Sequence, residues 1–328
     1  MGSCLVVKRS LSCLIACLVL APGAGAAIPY REALEGVTKA NGHRYGTRDS
    51  RGRSMDTLKI LRRGVKGYLG VYHTLSRGRF DVQVATSRDL VAWRHRATLA
   101  TNASQPTVAR RPGGGYLVAY EKDSGCSGGN NCLAFKRYDS ARQLLSGKQR
   151  GRERRIDRTF SKCAEGTPNF FRVTSSSFEI GFHYFRNCRV DRQARGTYNL
   201  ATGVWRPRKL PSIDGRLLAA GADPGGNIGD RDATFYGPAG AERSVYEAMI
   251  GPRSAGFGAW RCFAEEAGVI TQLRVRTHGG STAGANPTVT NATLPDGRAG
   301  LIVTYFIPVE GAARGEAGTL VFWQAYGP

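Results

Sequence analysis

A short phrase built of a polar residue, proline, a second polar residue and an apolar residue recurs along this chain. Each copy is followed by a glycine-containing turn and a strong strand signal. Gln105-Pro106-Thr107-Val108 precedes Tyr116-Leu117-Val118-Ala119-Tyr120, Thr167-Pro168-Asn169-Phe170 precedes Phe178-Glu179-Ile180-Gly181-Phe182, and Asn286-Pro287-Thr288-Val289 precedes Leu301-Ile302-Val303-Thr304-Tyr305. Two degenerate copies complete the set: Met55-Asp56-Thr57-Leu58 ahead of Gly67–Tyr72, and Asp232-Ala233-Thr234-Phe235 ahead of Ser244–Ala248. Repetition constrains a fold strongly, because each unit must bury its face against a neighbour. Taking Asp56, Pro106, Pro168, Ala233 and Pro287 as the common point, the copies stand 50, 62, 65 and 54 residues apart, the size of a four-stranded sheet with its loops.

No long stretch carries a helical period, so the expectation is an all-β fold, a five-bladed β-propeller with blades starting near 55, 104, 165, 229 and 285. A two-sheet sandwich has no need of five copies. Trp93, Trp205 and Trp323 follow their phrases by 37, 37 and 36 residues, a spacing that suits core packing. Phe322–Tyr326 is expected as the last strand, helping to close the ring.

The start of the chain reads differently. Lys8 and Arg9, the apolar run Leu11–Leu20 and Ala24-Gly25-Ala26 form the pattern of a secretory signal peptide over residues 1–27, leaving 28–328 as one domain that is secreted and extracellular. Export implies an oxidising compartment. Cys126 and Cys132 flank a tight loop, Cys163 and Cys188 bracket two strand-like runs, and Cys262 is left as a buried thiol outside both pairs. A zinc site lacks the necessary ligand spacing.

The formal charge is +22. Arginines solvating loops would account for it, and so would attraction to an anionic cell-surface polymer. Nucleic acid is not expected as a partner, since no nucleic-acid-binding module is present. A monomer is expected.

If each phrase opens an inner strand, its polar residues converge on the axis. That places Asp56, Gln105, Glu165, Asp230, Arg231, Asp232 and Asn286 around one mouth, with His73 and His183 at nearby strand ends. Carboxylates so gathered need a shared proton, a polar substrate or a cation. No motif calls for a cofactor or a metal site, although a structural cation in the channel is compatible with the set.

Ser87-Arg88-Asp89-Leu90-Val91-Ala92-Trp93 and Cys163-Ala164-Glu165-Gly166-Thr167-Pro168 resemble phrases of the five-bladed propeller glycoside hydrolases, the family 43-like group of arabinanases, levansucrases and invertases. The resemblance runs from about Asp56 to the C-terminus. It implies hydrolysis of furanosidic or related glycosidic bonds in an oligo- or polysaccharide, with Glu165 as general acid and Asp56 as base or nucleophile; Asp232, in a fourth-blade phrase that the resemblance does not require, is the alternative ionised partner. Asp49 is a substitute for Asp56, whose place in the phrase is shifted. Gln105, Asp230, Arg231, Asn286, His73 and His183 are then substrate contacts. The chain departs from the family at Gln105, where an aspartate is usual, and a non-catalytic carbohydrate-binding or cell-surface propeller is the alternative.

Overall fold

The computed structural model describes residues 28–127, 129, 131–236 and 240–327, so the signal-peptide segment 1–27 lies outside the described residues. Five four-stranded antiparallel sheets form a five-bladed propeller. From the axis outward, blade 1 runs Asp56–Arg62, Tyr68–Ser76, Arg79–Ser87 and Arg94–Thr101, and blade 2 runs Ala103–Arg110, Tyr116–Lys122, Cys132–Tyr138 and Arg150–Ile156. Blade 3 comprises Glu165–Val173, Ser177–Arg186, Val190–Asn199 and Trp205–Lys209; blade 4 comprises Ile228–Tyr236, Ala241–Met249, Trp260–Glu266 and Val269–Gln272. Blade 5 begins with Ala285–Thr293, Ala299–Ile307 and Gly318–Ala325 and takes its outermost strand, Gly42–Arg44, from the start of the described chain.

The C-terminal strand therefore closes the ring by accepting an N-terminal partner, with Gly42 opposite Trp323. Hydroxyls finish the seam between the last blade and the first. Thr288 and Thr304 both donate to the Leu58 carbonyl, at 2.9 and 3.0 Å, and Thr290 donates to Ile60 at 2.7 Å.

Stacked blades bury both faces of their middle strands, which explains the nearly continuous apolar runs. In Tyr68–Ser76, Leu69 and Val71 pack toward blade 2 with Val118 and Tyr120, whereas Tyr68 and Tyr72 pack toward blade 5 with Ile302 and Trp323. Trp93, Trp205 and Trp323 each lie over a glycine that leaves the ring room. A Cβ on Gly42 or Gly196 would sit 2.1 Å from the ring of Trp323 or Trp205, and one on Gly70 would meet Trp93 at 3.0 Å.

The repeated phrase marks one local event. In every blade the register between the first two strands breaks near the start of the innermost strand, as in a β-bulge. Thr57, Gln105, Thr167 and Asn286 occupy the break with left-handed φ angles of 50°, 49°, 50° and 46°. In three blades the next residue is proline, which has no N–H to offer the ladder. The true register corrects the sequence alignment twice: Leu58, not Asp56, matches the prolines in blade 1, and in blade 4 the break lies between Ile228 and Arg231, ahead of Ala233.

Cys126–Cys132 and Cys163–Cys188 are disulfide-bonded, and Cys262 is buried.

The seam is testable through its glycine. Gly42→Ala should lower stability by about 1–3 kcal/mol through overpacking against Trp323. Gly215→Ala, in the helix Pro211–Ala219 where an added Cβ meets nothing within 4 Å, should raise it by about 0.5–1 kcal/mol. Paired denaturant titrations of the two variants check both signs.

Candidate functional site

A residue held in a bulge cannot place its N–H in the ladder, and a buried N–H needs an acceptor. Here the preceding blade supplies it. Gln105 N–H donates to His73 Nδ1 at 3.1 Å, Thr167 N–H to Glu121 Oε2 at 3.2 Å, and Asn286 N–H to Glu247 Oε2 at 2.5 Å. All three acceptors are buried and stand on second strands directly after an aromatic residue: Tyr72-His73, Tyr120-Glu121 and Tyr246-Glu247. Two of these pairings border a cavity of about 430 Å³ that opens where the innermost strands begin.

Asp56, His73 and Gln105 line this cavity from blades 1 and 2, and Glu247, Asn286 and Glu310 line it from blades 4 and 5. Phe80, Phe257, Trp260 and Phe306 supply its aromatic walls. Among the described residues its lining holds three carboxylates and neither lysine nor arginine.

Asp56 opens the inner strand of blade 1, and its oxygens accept from the hydroxyls of Ser54 at 3.0 Å and Thr319 at 3.4 Å. Burial raises its pKa, with these hydroxyls opposing the rise. Glu247 is 5% exposed, and Gly229 makes its place: a Cβ there would come 2.1 Å from Oε1. His73 packs edge-on against Phe80 at 4.7 Å, and burial pushes its pKa down to about 3, so the ring is neutral at pH 7. Because Nδ1 accepts from a main-chain N–H, the neutral ring carries its proton on Nε2. Gln105 Oε1 is held by the Thr57 hydroxyl at 2.6 Å.

Asp56, Gln105, Asn286 and His73 thus meet at the mouth as the sequence suggested. Other candidates do not. Glu165 is 1% exposed and does not line the cavity; its Oε1 accepts from the backbone N–H groups of Thr159, Phe160 and Ser161, tying down the segment before blade 3. Burial raises its pKa, and those three donors pull the other way. Its geometry is that of an anchor, which corrects its assignment as general acid.

Asp232 is a second correction. It lies inside the channel, ion-paired to Lys59 and accepting from Val289 N–H at 2.9 Å, so its charge is already answered within the fold. Lys59 also donates to the Val289 carbonyl at 2.8 Å and brings to the channel the positive charge that a bound cation would supply.

Arg231 is buried beside Phe171 and Tyr246, at 4.2 and 5.8 Å from their ring centres, and burial lowers its pKa to about 10. It stands away from the mouth. His183 lies 3.7 Å from Asp191 within blade 3 and is also outside the cavity lining. Asp49, the alternative to Asp56, is committed to Arg53 at 2.8 Å and the Tyr72 hydroxyl at 2.7 Å. The side chain of Asp230 lies outside the described residues.

Sequence reading missed Glu247, Glu310 and the aromatic walls, and it assigned the tryptophans to packing although Trp260 faces the cavity. A signal for Glu247 was present. The aromatic-polar pairs at His73, Glu121, His183 and Glu247 recur once per blade through blade 4, and at His73, Glu121 and Glu247 the polar residue reaches the next blade.

No protein-family model matches the sequence, and no curated protein matches it. Solved structures do resemble it. A thermostable family-43 glycoside hydrolase superposes with a TM-score of 0.52 at 13% identity, covering 85% of this chain and 92% of that one. An endo-arabinase from Bacteroides thetaiotaomicron gives 0.52 at 14% identity, covering 85% and 96%. An N-acetylgalactosamine deacetylase from F. plautii, solved with blood group B trisaccharide, gives 0.53 at 10% identity, covering 92% and 93%. At such identities the likeness establishes the shared fold.

Two measurements probe this arrangement. Lys59→Met should cost about 3–5 kcal/mol by leaving Asp232 buried without its partner, and the double variant Lys59→Met/Asp232→Leu should recover much of that loss. Chemical denaturation of both variants decides it. A histidine with a depressed folded pKa contributes stability that is complete above its unfolded value of about 6.5 and fades as pH falls toward the folded value. The stability difference between the wild type and His73→Gln should therefore shift against the wild type by about 1.4 kcal/mol per pH unit between pH 6 and pH 4.

Proposed function

We propose that this protein is a secreted, monomeric, glycan-active propeller that hydrolyses furanosidic or related glycosidic bonds at the mouth of its axis. The observation that carries this reading is the cavity itself: Asp56 and Glu247, from non-adjacent blades, open on one space whose lining, among the described residues, has neither lysine nor arginine and whose walls are aromatic. Aromatic faces stack on the apolar faces of sugar rings, and paired carboxyl groups supply the acid and the ionised group that glycoside cleavage needs. Asp56 keeps the ionised role that the resemblance implied, its charge met by two hydroxyl donors. Glu247 takes the proton-donor role first assigned to Glu165. Neutral His73, as an Nε2 donor, and the amides of Gln105 and Asn286 hold sugar hydroxyls.

The glycan-active structures of the same fold support this substrate class, and the two disulfides support an exported protein. Export gives residues 1–27 their role as a cleaved leader.

Reducing-sugar release from a panel of arabinans, galactans and fructans tests the proposal. The native protein should release sugar from at least one polymer. Asp56→Asn and Glu247→Gln should each lose roughly 10²- to 10⁴-fold in kcat while remaining folded by circular dichroism. Glu165→Gln should lower thermal stability and leave kcat of the folded fraction within a few-fold. No release from any polymer by folded protein, or release that survives both cavity variants, overturns the assignment; glycan binding without release would point to the non-catalytic propeller.

A further inference from the structure

Another cavity, about 530 Å³ against about 430 Å³ for the one at the axis, is found away from the mouth. It lies beside the outer strands of blade 4, where the crossover that follows Gln272 runs toward blade 5. Its electrostatics are the reverse of the mouth's. Arg261, Arg274 and Arg276 line it, and no aspartate or glutamate among the described residues does.

The three arginines are not equivalent. Arg276 is ion-paired to Glu35 at 3.0 Å. Arg261 donates to the carbonyls of Gly258 and Trp260 at 2.7 and 2.8 Å, which fixes its guanidinium in place. Arg274 is exposed at the rim, and its main-chain N–H donates to Glu35 at 2.8 Å, which fixes the backbone from which it projects. No ion pair to its guanidinium is found among the described residues. Beneath these charges the floor is apolar, formed by Leu273, Tyr305 and Ile307. Tyr305 turns its hydroxyl away to the Leu34 carbonyl at 3.1 Å, leaving carbon facing the space.

We propose that this cavity is a second binding site, separate from the axial one, for a compact monocarboxylate of sugar size such as a uronic acid. A planar guanidinium pairs with a carboxylate through two parallel hydrogen bonds, and Arg274 is the side chain placed to do so. Arg261, whose partners are carbonyls, adds positive potential, whereas the charge of Arg276 is answered by Glu35. The apolar floor takes the C–H face of the ring. A neutral sugar would find the floor without the charge, and the carboxylate-rich mouth would repel the anion that this cavity attracts.

Isothermal titration of the full mature protein with D-galacturonate, and separately with D-galactose, tests the site. Galacturonate should bind at least tenfold more tightly than galactose, and its affinity should fall with added salt. Arg274→Gln should weaken galacturonate by roughly tenfold to a hundredfold, whereas Asp56→Asn at the axis should leave it unchanged. Equal affinities for the two sugars, no galacturonate binding, or loss of binding in Asp56→Asn with Arg274→Gln unaffected would each overturn the proposal. Because Asp56→Asn isolates the axial site, failure here is distinguishable from failure of the hydrolase reading.

Discussion

The hydrogen bond that one blade accepts from the broken first strand of the next, made at three of the five blade interfaces, is the interaction that ties the ring to its mouth. A left-handed residue near the start of an inner strand costs about 1–3 kcal/mol, more readily met by Asn286 or Gln105 than by the β-branched Thr57 and Thr167. It also strips an N–H from the ladder. His73, Glu121 and Glu247 recover that N–H from the neighbouring blade, so the strained turn and the blade-to-blade contact are one device. Because the break turns the chain at the axis, the same device sets polar side chains around a shared opening.

The mouth inherits its chemistry from that arrangement. Acceptors that serve the backbone must be polar and buried, and two of them, His73 and Glu247, also border the cavity. Glu121 and Glu165 satisfy main-chain donors without lining the cavity. Burial raises the pKa of Glu165, yet its partners mark it as an anchor. A perturbed carboxyl is therefore informative only with its geometry: Asp56 shares the direction of shift and differs in opening onto space. The opposite charge of the two cavities follows from local composition, one lined by Asp56, Glu247 and Glu310 and the other by Arg261 and the crossover arginines Arg274 and Arg276.

Much of the fold was legible because proline reports the bulge. Pro106, Pro168 and Pro287 stand where the ladder has no use for an N–H, which makes three of the five phrases readable in letters. Blades 1 and 4 use Leu58 and a charged stretch instead, so their alignment slipped, and the slip carried Asp232 to the mouth on paper although it is paired with Lys59 inside the channel. Glu165 was misread for a related reason. Residues that begin a strand near the axis look alike in sequence, and only the direction of the side chain separates a site acid from an anchor. Lys59 and Asp232 belong to strands far apart in sequence, and no local pattern announces that they meet. Glu247 was readable in principle from the recurring aromatic-polar pairs, but that pattern lies on the second strands rather than in the phrase that drew attention.

The most direct test of the central claim is a crystal structure of the Glu247→Gln protein with a bound arabino-oligosaccharide. The account expects a glycosidic oxygen within hydrogen-bonding reach of position 247, Asp56 on the other side of the same sugar, and a ring stacked on one of the aromatic walls. An oligosaccharide bound only away from the axis, or one whose glycosidic bonds all lie beyond reach of both Asp56 and position 247, would contradict it.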